Sequence, residues 1–530
     1  MKHPYTVLFL LLLSCLPGLA RAQQAPAGPV PEQPARLELP LEVYNSEVHL
    51  QAIPEDSSLV LLVEQDRLLS TRSEFYLQRY NHQLQPGNKQ PLEVPKEYEF
   101  SQICSEGTDV YALFSSTTTP GKLWIVAYDT RTGEVGKAEF DTKLVRHVHN
   151  LKALGGNLFV TVGLEQHLTV LLLDLHTATF KFLPSVYEPL PATLTFLTDS
   201  VTRRAEFILS ESNGFKSRLQ VKQLSDQGQL IHSEFVQAES ERGLISAQLS
   251  PGDSAARLLA GTYTLRDSRY SQGLFAADLT AGVTETGQRR SLRFYDFLNL
   301  KHFFDFMKPA RVERLRQRSK RLKATARQYR LRYRLLMHDM IPFQGGYVLV
   351  AEVYYPRYQY GYGTYYNAAA YMPMYNSLSS PYNYNRNNRN NGYRSVDAYR
   401  FTHALVCAFD RYGNLLWDNS FLLKDVETDE LAETVRVRPL PDGKRLVLSY
   451  LHEDKLHYKI IDQATPAPND LAVPIRTAQE NQPEKTIDTS QSELQAWYGS
   501  RFLAYGYQRV RSAGTATRNV FFINAVAFDN

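Results

Sequence analysis

From about residue 37 onward the chain alternates short apolar runs with clusters of Gly, Asp, Asn and Ser, the spacing of strands and turns rather than of helices. One set of runs is almost continuously apolar: "LVLLVEQ" at 59, "VYALFSS" at 110, "NLFVTVG" at 157, "AEFILSE" at 205 and "ARLLAGTY" at 256. "GYVLVAEVYY" at 346, "RLVLSYL" at 445 and "RFLAYGY" at 501 complete it. The first five start at intervals of 51, 47, 48 and 51 residues, close to the 40–50 residue period of propeller blades. Strands without a polar alternate are strands buried on both faces. A ring of blades buries every face between neighbours, which one four-stranded blade cannot do alone.

Each run is followed by a second recurring unit, a strand, an Asp-containing turn and another strand. Examples are "LWIVAYDTRTGEVGKAEF" from Leu123, "TVLLLDLHTATFKF" from Thr169, "LQVKQLSDQGQLIHSEF" from Leu219 and "HALVCAFDRYGNLLWDNSF" from His403. The Asp side chain caps such a turn, and Gly or Asn supplies its positive φ. The last unit shows only three strands, whereas "RLELPLEV" from Arg36 is an orphan strand ahead of the first unit. Joining the two closes a ring and hides two strand edges. The expectation is an all-β fold, a single β-propeller of eight blades, with seven the nearest alternative and a pair of β-sandwiches a poorer match to the even spacing.

The turn units "AFDRYGNLLWDNSF" and "AYDTRTGEVGKAEF" resemble the repeats of the quinoprotein-type and WD40-like propeller superfamily, in which a Trp placed like Trp417 packs between blades. The resemblance covers most of the chain from residue 37 and implies fold. From "LLMHDMIPFQGGYVLVAEVYYP" onward the chain also resembles exported propeller-like proteins of Bacteroidota that have no assigned activity. The vicinal Cys pair and metal site of quinone-dependent dehydrogenases cannot be read here, so the resemblance does not extend to their chemistry.

Two insertions interrupt blade six. The first spans residues 294–337, where Val312, Leu315, Ser319, Leu322, Ala326, Tyr329, Tyr333 and Leu336 fall three or four apart, a narrow apolar stripe on a helix. Phe294, Phe297, Phe303, Phe304 and Phe306 precede it, and Pro309 suits a helix start. Two helices are expected, the first aromatic and buried, the second long and basic. The second insertion spans residues 354–399, with thirteen Tyr and eight Asn, and is expected as a low-complexity loop between the second and third strands.

Charge sharpens the contrast. The net +4 hides twelve Lys and Arg against Glu313 alone in residues 308–334, a local +11. If Lys2 and Arg21 leave with a leader, −9 remains for the rest of the mature chain. Residues 1–22 read as a secretory signal with a polar start, an apolar run from Val7 to Leu13 and an Ala20-Arg21-Ala22 cleavage site. The alternative is a lipoprotein anchored through Cys15 of "LLSC". Residues 23–36 are expected as a disordered Pro- and Ala-rich leader. No other segment is apolar enough to cross a membrane. Cys104 and Cys407 sit in apolar runs and are expected as buried free thiols.

Candidate chemistry is thin. His147 and His149 have the spacing of a two-His metal site without an identifiable third ligand, and His338-Asp339 and His403 suggest a buried hydrogen bond rather than a catalytic pair. No catalytic residue, metal site or cofactor is assigned. The expected function is an exported, non-catalytic binding or scaffolding propeller at the cell envelope. Arg314, Arg318, Arg321, Lys323, Arg327 and Arg330 are the candidate anion or partner contacts, and Tyr360, Tyr362, Tyr365 and Tyr366 the candidate loop contacts. An envelope protein or an anionic lipid or glycan surface would suit them. Nucleic acid suits the charge too, but an exported protein rarely meets it. Oligomeric state is left open. The rival reading is a propeller-type hydrolase or lyase acting on glycans or peptides through carboxylates in the central channel.

Overall fold

The computed structural model describes residues 30–529 except 67–72, 165–166, 190–192, 200–201, 213–216, 239, 253–256, 280–291, 361–393, 470, 478–483 and 512–515. Eight antiparallel sheets follow one another along the chain. Blades one to five occupy 46–92, 98–141, 147–189, 193–236 and 243–296; blades six and seven occupy 334–422 and 436–474. Blade eight joins strands Lys485–Ala496, Arg501–Arg511 and Arg518–Ala527 to the N-terminal strand Glu32–Leu39, which pairs with Arg518–Ala527. The eight-bladed ring and its closing strand follow the sequence pattern. The strand starts at Glu32, inside the stretch expected as a disordered leader.

First strands of neighbouring blades touch one another, which places the first strand of each blade innermost. Every blade interface has its own apolar core, and this explains the continuous apolar runs. In the strand Asn157–Leu164, Leu158, Val160 and Val162 pack toward blade two, whereas Phe159 packs toward Phe196 and Phe207 of blade four. Period-two alternation persists there, but both alternates are buried. Trp417 is half-buried against the cluster shared by blades six and seven, with its ring 6.4 Å from that of Phe343.

The turns also follow the expected chemistry, with one exchange of roles. Asp410 accepts from the backbone N–H of Tyr412 (2.9 Å) and Asn414 (2.8 Å), and Gly413 takes the positive φ of 80°. In blade four the preceding Ser225 does this work, accepting from Gln227 and Gln229, and Asp226 does not.

Blade six and its first insertion differ from expectation. Phe294 belongs to the outer strand of blade five, Arg293–Asp296. The aromatic stretch makes only a short 3-10 turn, Phe297–Asn299, and among the described residues the one α-helix, α1, is Pro309–Ala324. It ends ten residues before the strand Arg334–Met337 because Ala326 turns to φ 54° and the N–H of Arg327 returns to the Leu322 carbonyl (2.9 Å). Beyond that point the chain is held extended. Gln272 of blade five donates to the Leu331 carbonyl (2.8 Å) and accepts from its N–H (2.9 Å), and Tyr333 bridges Ser271. Tyr329, Tyr333 and Leu336 thus reach the apolar interior from extended backbone, not from the helix stripe.

Candidate functional site: the helix-bearing face

Strands alternate direction within each blade, so every link from one blade to the next leaves on the same rim as every connection between second and third strands. Helix α1 lies on the link from blade five to blade six. The two longest strands, Gly346–Tyr360 and Arg394–Phe409, are the second and third of blade six and converge toward residues 361–393. Their ends form a two-stranded arm on the same face as α1.

Helix α1 is docked by a narrow set of side chains. Val312 and Leu315 pack against the core shared by blades five and six, Ser319 is buried, and Leu322 is half-buried. Beneath them Phe297 and Phe303 stack 4.1 Å apart, and Phe306 stacks on His403 at 4.3 Å. Arg316 turns inward and donates to the Leu300 carbonyl (3.1 Å). The other cations face water. Lys308, Arg311, Arg314, Arg318, Lys320, Arg321, Lys323, Arg327, Arg330 and Arg332 are all exposed. Among the described residues none of them makes an ion pair. The contacts they do make are slight: Arg314 donates to the Ala310 carbonyl one turn back (3.3 Å), and Arg318 lies 5.8 Å from the Tyr329 ring centre. Arg321 and Lys323 in the last turn oppose the negative end of the helix dipole. Among the described residues, therefore, no acidic side chain of the blades neutralises this helix by direct pairing.

Of the six basic candidates, Arg314, Arg318, Arg321 and Lys323 lie on α1, while Arg327 and Arg330 follow its end. The sequence reading passed over Arg311, which continues the series at three- and four-residue steps. Tyr360 is the last residue of its strand, opposite Arg394; Tyr362, Tyr365 and Tyr366 lie outside the described residues. On the arm itself Tyr355 and Tyr358 are exposed. Arg357 is paired to Asp397 (2.9 Å) and Glu427 (2.8 Å), so this cation of the arm is satisfied where the helix's are not. Tyr333 is buried in the core on which the helix is docked, and burial pushes its hydroxyl to higher pKa.

The titratable groups picked out in sequence have structural partners. His338 does not pair with Asp339. Its Nε2 lies 2.7 Å from Glu352, and its Nδ1 faces Glu433 at 3.9 Å. Glu352, fully buried, also accepts from the backbone N–H of Thr434 and Val435 (2.9 Å each) and from the Thr434 hydroxyl, tying blade six to blade seven. Burial alone would lower the pKa of His338, but Glu433 and the bonded Glu352 together hold it above the ordinary value. Asp339 instead crosses the ring to Lys152 of blade three (3.9 Å), and Lys152 also donates to the Phe196 carbonyl of blade four (2.8 Å). Glu106, on an innermost strand, caps Gly155 and Gly156 of the next blade. Glu206 pairs with Arg257 and accepts from Gln223 (3.0 Å). His147 and His149 lie 6.3 Å apart, and burial pulls His149 down to about 4. Burial likewise pulls His403 down to about 3, a neutral ring inside the blade five–six core. Among the described residues no three His, Cys, Asp or Glu side chains are grouped to hold a metal ion. Cys104 is half-buried and Cys407 buried, both free.

No family model matches the chain, and no curated protein is similar to it. Solved structures with a similar fold include a prolyl endopeptidase (11% identity, TM-score 0.39), with 87% of this chain covered and 53% of that one. The polysaccharide lyase Uly1 follows at 9% identity and TM-score 0.38, covering 81% and 89%. Prolyl oligopeptidase B from Galerina marginata has 9% identity and TM-score 0.39, covering 89% and 56%. The chain spans about half the length of the peptidases.

Proposed function

We propose that the protein is an exported, non-catalytic binding propeller of the cell envelope that uses the face bearing α1 to hold an anionic partner. One observation carries this reading: ten exposed cations are gathered on a docked helix and the residues flanking it, and none has an anion of its own among the described residues. A docked helix loses the freedom that would let its side chains seek partners elsewhere on the ring. Uncompensated charge of one sign attracts counter-charges and speeds their association. Carboxylate chemistry at the ring's centre is the weaker reading, because Glu106 of an innermost strand caps the next blade and Asp339 faces Lys152 across the ring.

The test is crosslinking and pull-down from native envelope. Wild type is compared with a variant carrying Gln at Arg314, Arg318, Arg321, Lys323, Arg327 and Arg330. Loss of a defined partner by a normally folded variant supports the reading; recovery of the same partners by both proteins overturns it.

A further inference from the structure

We infer that the anion held by this face is a linear acidic polysaccharide, lying along α1 with its carboxylates opposite a row of arginines. The inference rests on the reading that the helix face is a binding surface, and it names the ligand class.

Arg311, Arg314, Arg318 and Arg321 follow one another at steps of three, four and three residues. On an α-helix that spacing aligns them along one side over about 15 Å, roughly one guanidinium per turn. The buried stripe of Val312, Leu315, Ser319 and Leu322 runs alongside and fixes the row relative to the ring. Lys320 and Lys323 lie on the other flanks, so the row itself is all arginine. A guanidinium presents a planar fork that grips a carboxylate through two parallel hydrogen bonds, which an ammonium cannot do. Four forks in a line match a chain that repeats its charge at a comparable step.

A lipid surface fits the same charge less well. Helices that lie in a membrane bury an apolar face in it, but the apolar side of α1 is already used against blades five and six. A flat anionic surface also has no need of a single row, or of Arg over Lys. The neighbouring aromatics suit sugars. Tyr329 lies under Arg318, and Tyr355 and Tyr358 are exposed on the blade-six arm of the same face. Tyrosine rings give broad amphipathic surfaces on which a sugar ring can lie.

The experiment titrates the full chain with fluorescently labelled oligogalacturonates of two to ten sugars. Uncharged maltooligosaccharides of equal length and phosphatidylglycerol vesicles are run in parallel. The expected result is affinity that climbs with length until the chain spans the arginine row, then levels, with no binding of the uncharged series. R314Q/R318Q should weaken binding at least tenfold. R314K/R318K, which keeps the charge and serves as a folding-matched control, should weaken it severalfold. Lysine variants that bind like wild type overturn the arginine row. Vesicle binding without oligogalacturonate binding overturns the polysaccharide and leaves the binding surface standing. If no probe binds, the polysaccharide is overturned, and only a pull-down that is also unaffected by the helix variant removes the binding surface with it.

Discussion

In the closing blade, Arg36 and Arg518 are surrounded by acceptors. Arg36 contacts Glu38 (2.7 Å), Asn524 (2.6 Å), Gln508 (2.9 Å) and the Arg476 carbonyl (2.8 Å), and Arg518 reaches Glu38 (2.9 Å) and Glu484 (2.6 Å). On α1 the same side chain recurs at Arg311, Arg314, Arg318 and Arg321 with no ion pair among the described residues. One set joins parts of the molecule that are far apart in sequence. The other contributes little to the fold, and its charge is directed outward. The comparison teaches that counting arginines says nothing of their use until their acceptors are known.

The contrast can be broken or sharpened by substitution. The largest effect belongs to Arg36→Met, which leaves half-buried Glu38 with Arg518 alone and takes their arginine donor from the side-chain oxygens of Asn524 and Gln508. The expected cost is about 3 kcal/mol, from polar acceptors left short of a donor, read as a lowered urea midpoint. Glu352→Gln should follow at roughly 1–3 kcal/mol, since a buried acceptor of several bonds becomes partly a donor. His338 in the same cluster gives that joint a pH signature. Its pKa is raised in the folded state, so its stabilisation is complete below the ordinary histidine value and is lost as pH rises through the raised one. Denaturation midpoints measured from pH 6 to 9 should fall more steeply for wild type than for His338→Gln; equal slopes would exclude protonated His338 as a link between the blades. Asp410→Ala, which uncaps one hairpin turn, should cost about 1 kcal/mol. Smallest of all, Arg314→Gln or Arg321→Gln should change stability by less than about 0.5 kcal/mol. A larger loss would mean that the helix charges hold the ring together after all, and would erase the contrast.

Much of the ring was legible because propeller geometry leaves a plain mark on sequence. Second strands such as Asn157–Leu164 are buried on both sides and so read as unbroken apolar runs, and turns such as that at Asp410 carry their capping residues within five positions. The helix length was not legible. Tyr329, Tyr333 and Leu336 keep helical spacing yet enter the core from extended backbone, because Gln272, some sixty positions earlier, clamps Leu331. A local period cannot register so distant a partner. The pairing of His338 with Glu352 was hidden likewise, since Asp339 stood next to it in sequence while strand pairing brought Glu352 close. For the surface, charge was legible but freedom from partners was not, because that depends on what every other blade places nearby.

The closing strand has a consequence for how the molecule comes into being. Arg36 and Asn524, bonded in the finished ring, are separated by 488 positions. The strand Glu32–Leu39 must therefore wait for the strand Arg518–Ala527, and seven blades can form before either finds the other. A chain cut short anywhere ahead of residue 518 would keep its first strand unpaired and display an open edge. Ring closure thus joins elements from the two far sides of the propeller: the edge of the strand Glu32–Leu39 is hidden only once Arg518–Ala527 is in place.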